Sequence, residues 1–406
     1  MRRIHPHRFR VAGRGTSREI NRQILLNLVR RHQPVSRADL ARMMGTTRAA
    51  VTFIVNDLID EAFVYEGAKG EAARGRKPQF LYIDSRKRWV LAVDIRATRT
   101  SLMVCNLLGE PLTGVTSFPT ETQVARLVKT LADRVTRTIA EHRDLGECQG
   151  IGVVVPGMVG PGGERVLFSP RLGWRDVPLR AALAAATRLP VTVENSGRAC
   201  ALAQLWSSRP EAPAAGDIAF VNVSDGIGVG IVVRGEVLRG LHNVAGEFGH
   251  IPLNVDGPPC ACGATGCWEA YVSNLATLSR YFGREVAPRK TMPADMASFT
   301  VDDLIARARG GDGKAIAAVQ ATARYLGLGL ASLVNAVDPA RIYLSGEIIG
   351  AWDLIEGTTR RALAERALAP AAATTSLVTV SLPEYPRLRG AAALVTAPVF
   401  AAPSVA

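Results

Sequence analysis

Four side chains able to ligate a metal fall within eighteen residues of this chain: His250, Cys260, Cys262 and Cys267. One imidazole and three thiols at these spacings suit Zn2+, which prefers four N or S donors in a tetrahedron. When the protein supplies all four, no position is left for a catalytic water. The run Gly246-Glu247-Phe248-Gly249-His250, followed by Cys260-Ala261-Cys262-Gly263-Ala264-Thr265-Gly266-Cys267-Trp268-Glu269, therefore predicts a structural zinc loop. It also carries two carboxylates, Glu247 and Glu269, which such a metal does not need. Any fold for this chain has to close that loop and leave those glutamates free for another role.

The remaining cysteines, Cys105, Cys148 and Cys200, are scattered and read as reduced core thiols rather than as a disulfide framework. With 406 residues, 48% of them hydrophobic, the chain is long enough for two or three domains. No apolar stretch of about 18 residues lacks charge, and no apolar h-region follows the arginine-rich start. The sequence thus predicts no membrane partner, no signal peptide and a cytoplasmic location.

Charge is distributed unevenly. The first 90 residues hold 19 lysines and arginines against 8 acidic residues, so most of the chain's net +13 lies at one end. A basic end of this kind predicts a polyanionic partner. Residues 1–17 read as a basic tail. Ile20, Ile24, Leu25 and Leu28 recur at helical spacing up to the break at Gln33-Pro34, which predicts a helix over 18–32. Ser36-Arg37-Ala38-Asp39 is an N-cap signal for a second helix, and Gly45 permits a tight turn before Thr46 and Thr47 cap a third over about 47–61. That third helix buries Val51, Ile54, Val55, Leu58 and Ile59, which leaves Thr46, Thr47, Arg48 and Thr52 for DNA base edges, with Ser36 at the preceding helix start. Phe63–Glu66 and Gln79–Ile83 read as strands around a loop holding Arg74, Arg76 and Lys77, cations suited to a narrow minor groove. Residues 18–84 are thus expected to form a winged helix-turn-helix on a double-stranded operator, with the protein associated with the nucleoid.

From Trp89 onward the pattern changes to alternating strands and Ala/Leu-rich helices. The zinc loop matches C-x-C-G-x-x-G-C-x-E in full, and Gly246–His250 matches G-E-x-G-H. With these elements, residues 89–402 resemble the ROK family (repressors, open reading frames and kinases). The resemblance implies an α/β, actin-like, ribonuclease-H-like body of two lobes with a cleft between them. It implies that zinc sits on His250 and the three cysteines, while Glu247, Glu269 and His250 meet sugar hydroxyls. Gly157 in Val155-Pro156-Gly157, Ser169 in Phe168-Ser169-Pro170, and Asn195 and Ser196 in Glu194-Asn195-Ser196-Gly197 resemble the family's other sugar-binding segments.

The departures from the family pattern concern phosphoryl transfer. In the kinases the third of these segments reads E-N-D, its Asp acting as general base; here Ser196 stands there, and a hydroxyl accepts no proton near neutral pH without help. The D-x-G-G-T phosphate turn is replaced by Asp94-Ile95-Arg96-Ala97-Thr98, with both glycines gone. Ser224-Asp225-Gly226-Ile227-Gly228-Val229-Gly230 keeps more of the second phosphate loop, and Ser345-Gly346-Glu347 keeps one glycine of the adenine-side turn. The expectation is a non-enzymatic, sugar-responsive repressor, a homodimer or tetramer, whose effector is a sugar or sugar derivative. Two alternatives stand beside it: a sugar kinase that retains a DNA-binding head, and a regulator whose body receives a protein partner.

Overall fold

The apolar run Trp89–Ile95 becomes the strand Arg88–Ile95, buried on both faces as a strand covered by helices on each side should be. Trp89, Leu91, Val93 and Ile95 share one core with Leu127, Leu131 and Val135 of the helix Val124–Glu141. Val90 and Ala92 share another with Leu388, Ala391 and Ala392 of the C-terminal helix Pro386–Phe400. The structure is a computed structural model and describes residues 14–69, 79–206, 216–288 and 293–401.

Two five-stranded sheets form the two lobes of the body. In the first, the order is Val191–Asn195, Glu147–Val155, Arg88–Ile95, Arg99–Asn106, Thr116–Pro119. In the second, it is Glu236–Val237, Ile227–Val233, Ile218–Val223, Arg341–Ser345, Ser376–Thr379. Each sheet begins with an antiparallel meander and adds two parallel strands beside its first strand, so the lobes share one plan. The 25-residue helix Gly313–Val337 runs through the second lobe's core, where Trp268 is fully buried and donates Nε1–H to Tyr325 O at 3.0 Å. No helix among the described residues is long and apolar enough to cross a membrane. Cys105 and Cys200 are buried free thiols and Cys148 is half-buried.

The basic N-terminal segment folds as helices Arg14–His32, Arg37–Met43 and Arg48–Asp60. The first starts before the expected 18, because apolar spacing marks only its buried face. Strands Val64–Lys69 and Gln79–Ile83 pair antiparallel, and a short Val35–Ser36 strand, which carries no sequence signal, joins their sheet. Val51, Ile54, Val55 and Leu58 are buried as expected, and Ile59 packs at the edge of that core. Phe400, the last residue of the C-terminal helix, also belongs to this core. The expected boundary at 84–89 therefore separates the chain in sequence but not in space.

Two helices span the distance from the cleft to this segment. The helix Ser196–Trp206 starts in the cleft and packs extensively on Pro386–Phe400, which starts beside it at Arg387. At their far ends the Arg30 guanidinium lies over the rings of Trp206, at 4.9 Å, and Phe400, at 5.2 Å. Arg30 Nη1 donates to Trp206 O, and Gln23 and Asn27 donate to Val399 O and Phe400 O, all at 2.6 Å. Arg30 is only 6% exposed, and burial, aided by Arg31, pushes its pKa down to about 10.

Candidate functional site

Gly157, Ser169, Asn195, Ser196, Glu247, His250 and Glu269, seven residues spread over 113 positions, line one pocket between the lobes. The C-terminal ends of parallel strands supply its floor, the position where open α/β sheets hold ligands. Arg96 follows the strand Arg88–Ile95 and Asn195 ends the strand Val191–Asn195 of the first lobe, and Asn222 and Ser224 stand at the end of Ile218–Val223 in the second.

Glu269 is fixed from three directions. Its Oε2 accepts from Ile227 N at 3.0 Å, its Oε1 faces Arg171 Nη2 at 3.4 Å, and Cys260 Sγ lies 3.6 Å from Oε1. The peptide at Gly226 has to approach closely for this, since a Cβ there would meet Glu269 Oε2 at 2.3 Å. Gly226→Ala is therefore expected to swing Glu269 out of the cleft and weaken ligand binding at least about tenfold, or about 1.4 kcal/mol, with little change in melting temperature. Calorimetry beside a thermal melt checks this; unchanged affinity would remove Glu269 from the site. Burial pushes the Glu247 carboxyl up, against the pull of His250 and Arg198, and Glu269 adds to the rise.

The four metal-ligating side chains converge: one donor atom from each of His250, Cys260, Cys262 and Cys267 lies within 4.8 Å of the others. Cys262 Sγ and Cys267 Sγ are 3.7 Å apart, and Cys260 Sγ is 3.6 Å from His250 Nδ1. Two sulfurs each about 2.3 Å from a tetrahedral Zn2+ would stand about 3.8 Å apart, so the donor set fits that ion. Burial pushes the Cys267 thiol up to about 11 and raises Cys260 further, a state that a divalent cation reverses. Nδ1 is the His250 nitrogen at the cluster, which leaves the ring's other edge to the pocket. Cys267, Trp268 and Glu269 thus place a metal ligand, a core anchor and a pocket carboxylate on consecutive residues.

Asn195 is placed differently from a simple ligand contact. Its Oδ1 caps the helix Ser196–Trp206, accepting from Gly197 N at 2.8 Å and Arg198 N at 3.2 Å, and its Nδ2 donates to Gly157 O at 2.8 Å. Ser196 Oγ accepts from Arg387 Nη1 at 3.2 Å, which makes the hydroxyl a still weaker base than serine alone. Ser169 is fully buried with its Oγ unpartnered, as is Oδ1 of Asn222, so two polar atoms in the pocket wall lack protein partners.

Arg387 was not legible as a site residue. It binds Asp94 through Nε, at 2.8 and 2.9 Å, and Nη2, at 2.6 Å, and both side chains are buried. Burial pushes the Asp94 carboxyl up, but Arg387 and Arg96 outweigh it and hold the group below the usual carboxylate range. Arg96, from the altered phosphate turn, donates to Asp94 Oδ2 at 3.1 Å and to Glu347 Oε1 at 3.4 Å. It is therefore an ion-pair bridge from the first lobe to the second. The glycines of the second phosphate loop also serve packing, since a Cβ at Gly230 would lie 2.2 Å from Gly197 O, where helix Ser196–Trp206 crosses the strand Ile227–Val233.

In the N-terminal segment, Thr46, Thr47 and Arg48 are exposed at the start of the third helix and Thr52 is half-buried. Thr47 Oγ1 accepts from Ala50 N at 3.3 Å, and Thr52 Oγ1 donates to Arg48 O at 2.8 Å. Ser36 departs from the expected contact role: it is 4% exposed, and its hydroxyl is held 2.6 Å from Asp39 Oδ2 in a capping box. Phe53, off the buried stripe of the third helix, is 58% exposed beneath the Arg18 guanidinium. Arg74, Arg76 and Lys77 lie outside the described residues.

Known proteins resemble this chain over most of its length. The xylose repressor of Bacillus subtilis is 27% identical over 353 residues, covering 86% of this chain and 88% of the relative. A crystal structure of a ROK family transcriptional regulator, homologous to the Escherichia coli Mlc protein, superposes with a TM-score of 0.77 at 27% identity, covering 95% of this chain and 97% of that one. A ROK family glucokinase from Streptomyces griseus, solved with glucose and AMPPNP, covers 75% of this chain and 98% of its own at a TM-score of 0.64 and 26% identity. The two regulators each cover more residues than the body contains, so their matches reach into the N-terminal segment. The ROK family profile matches residues 90–397, and the chain belongs to the ROK family.

Proposed function

We propose that this chain is a sugar-responsive transcriptional repressor whose body has kept a sugar-kinase cleft and lost its phosphoryl-transfer chemistry. The observation that carries this reading is the state of Ser196. In the position where a kinase of the family needs a carboxylate base, a hydroxyl accepts a hydrogen bond from a buried guanidinium. Loss of a general base costs about 10²–10⁴-fold in rate. Arg96 adds a second obstacle, because its side chain occupies the turn where close backbone approach to phosphate is needed.

The polar lining suits a neutral polyol. Glu247 and Glu269 would accept hydroxyl hydrogens, Ser169 and Asn222 have unpartnered polar atoms to offer, and Ser196 and the outer edge of His250 complete the wall. Zinc on His250, Cys260, Cys262 and Cys267 would act as a scaffold, holding the loop that carries both glutamates. The N-terminal helices with their three-stranded sheet would serve as a winged helix-turn-helix, the third helix presenting Thr46, Thr47 and Arg48 to the major groove. Arg74, Arg76 and Lys77 would serve as the wing's cations. A dimer is expected from the two-fold symmetry of operators read by such heads.

The signal would pass along the helices Ser196–Trp206 and Pro386–Phe400, which start at Ser196 and Arg387 and end on Arg30. Arg30→Ala is expected to leave sugar affinity within about twofold while reducing sugar-induced release from DNA, normally a coupling of about 5–150-fold, to under threefold. Loss of sugar binding in this variant would contradict the route. The enzymatic alternative has a direct test: purified protein, ATP, Mg2+ and a panel of hexoses and pentoses. Sugar binding by calorimetry without phosphorylation above background is the expected result, and turnover that disappears in Glu247→Ala would make the chain a kinase.

A further inference from the structure

The pocket between the lobes is narrow, with about 80 Å³ of free volume. At about 10–15 Å³ of such volume for each water-sized occupant, it holds roughly six waters, about the room of one sugar ring. A wider groove of about 770 Å³ adjoins it and shares Arg171, Ala261 and Glu269 with its wall. The Arg171–Glu269 ion pair, at 3.4 Å, stands between the two spaces. We infer that the effector is longer than a monosaccharide, a neutral disaccharide or glycoside whose second unit occupies this groove beyond Glu269. The inference rests on the sugar-sensing reading of the cleft and extends it to ligand length.

Charge in the groove argues for a neutral occupant. Its lining carries three arginines, Arg171, Arg280 and Arg284, against three carboxylates, Asp256, Glu269 and Glu285. The guanidinia are already engaged: Arg171 faces Glu269, Arg284 donates to Asp295 Oδ2 at 2.8 Å, and Arg280 donates to Tyr271 O and to Thr322 Oγ1 at 2.9 Å. Arg171 and Arg284 face carboxylates, and the half-buried Arg280 spends its donors on a carbonyl and a hydroxyl, so a phosphate or carboxylate would find no guanidinium with free donors aimed at it. What the groove offers instead is the mixture a sugar presents in reverse. Pro258, Pro259 and Leu275 give apolar wall for C–H faces, and Ser279, Asp256 and the edges of the stacked Tyr271–Tyr325 pair give hydrogen-bonding groups for hydroxyls. Its volume lies within the range of small-molecule sites, about 300–1,000 Å³.

The groove also shares the fixed side of the site. Pro258, Pro259, Cys260 and Ala261 belong to the metal loop, and Glu269 to Ser279 follow from it on the helices Trp268–Val272 and Asn274–Phe282. One rigid loop would therefore grip both units, the first through Glu269 and the second through the residues flanking it.

Calorimetry with monosaccharides and their matching disaccharides, including glucose with cellobiose and maltose and xylose with xylobiose, tests this. The expected result is one disaccharide binding at least tenfold tighter than its own monosaccharide, an advantage abolished by Ala276→Trp, which fills the groove, with the monosaccharide affinity unchanged. Ser279→Tyr is the second variant, in case tryptophan perturbs the helix. A disaccharide no tighter than its monosaccharide, or an advantage that survives both variants, overturns the inference and leaves the sugar-sensing reading standing. Binding of no sugar of either length overturns both.

Discussion

Replacing Arg387 by methionine is expected to lower the unfolding free energy by about 3–5 kcal/mol, the usual cost of removing one partner from a buried ion pair. Asp94 would be left in the core with Arg96 as its remaining cation, and Ser196 would lose its donor. Chemical denaturation measures the loss. The double variant Asp94→Asn/Arg387→Met should recover more than half of it, because it removes the stranded charge together with its partner. A cost below about 1 kcal/mol for Arg387→Met would show that the pair does not hold the body together. The pH dependence has a definite sign. Asp94 is held below the usual carboxylate range, so the pair's stabilisation is present above the unfolded value of about 4 and is lost as pH falls through the folded value. In the variant the carboxyl loses its main cation and titrates higher. The gap between variant and wild type should therefore narrow as pH falls from about 7.

Removing the metal is expected to have the other large effect. Chelation, or Cys262→Ser, should cost one zinc per chain and at least about 3 kcal/mol of stability, with the melting temperature falling by about 6–12 °C. Sugar affinity should fall at least tenfold, because Glu269 is attached to the metal loop through Cys267 and Trp268 on one side and contacts Cys260 on the other. Restoring Zn2+ to the stripped wild-type protein should restore both. The buried thiols are pushed towards their neutral forms, so metal affinity should weaken as pH falls and protons compete for the sulfurs. Metal-free protein that binds sugar at full strength would remove zinc from the account.

The cleft was legible in the sequence wherever chemistry is carried by short, ordered motifs. The metal ligands and Glu269 lie within twenty residues, and their types and spacing suffice. The second helix was legible because Ser36 and Asp39 form a local capping signal three residues apart. The same locality misled the reading of Ser36 itself, since the hydrogen bonds that make a good cap bury the hydroxyl. Arg387 lies 191 residues from the serine it contacts and 293 from Asp94, and nothing around it marks a charged residue as buried. The Arg96–Glu347 bridge hides for the same reason: its two halves belong to different lobes and lie 251 residues apart in the chain. Arg30 reads as one more cation in a basic segment, although the helices Ser196–Trp206 and Pro386–Phe400 both end on it. Gly230 reads as a phosphate-loop residue, although its close approach to Gly197 serves helix–strand packing, because glycine serves both.

A sugar in the cleft is held to control the grip of the N-terminal helices on DNA. Fluorescence anisotropy of a labelled duplex from upstream of this chain's own gene, titrated with protein in the presence and absence of the tightest-binding sugar, tests this most directly. The predicted result is specific binding that weakens about 5–150-fold with sugar, and no such change in Glu269→Ala. Identical DNA affinity with and without a sugar that calorimetry shows to be bound would contradict it.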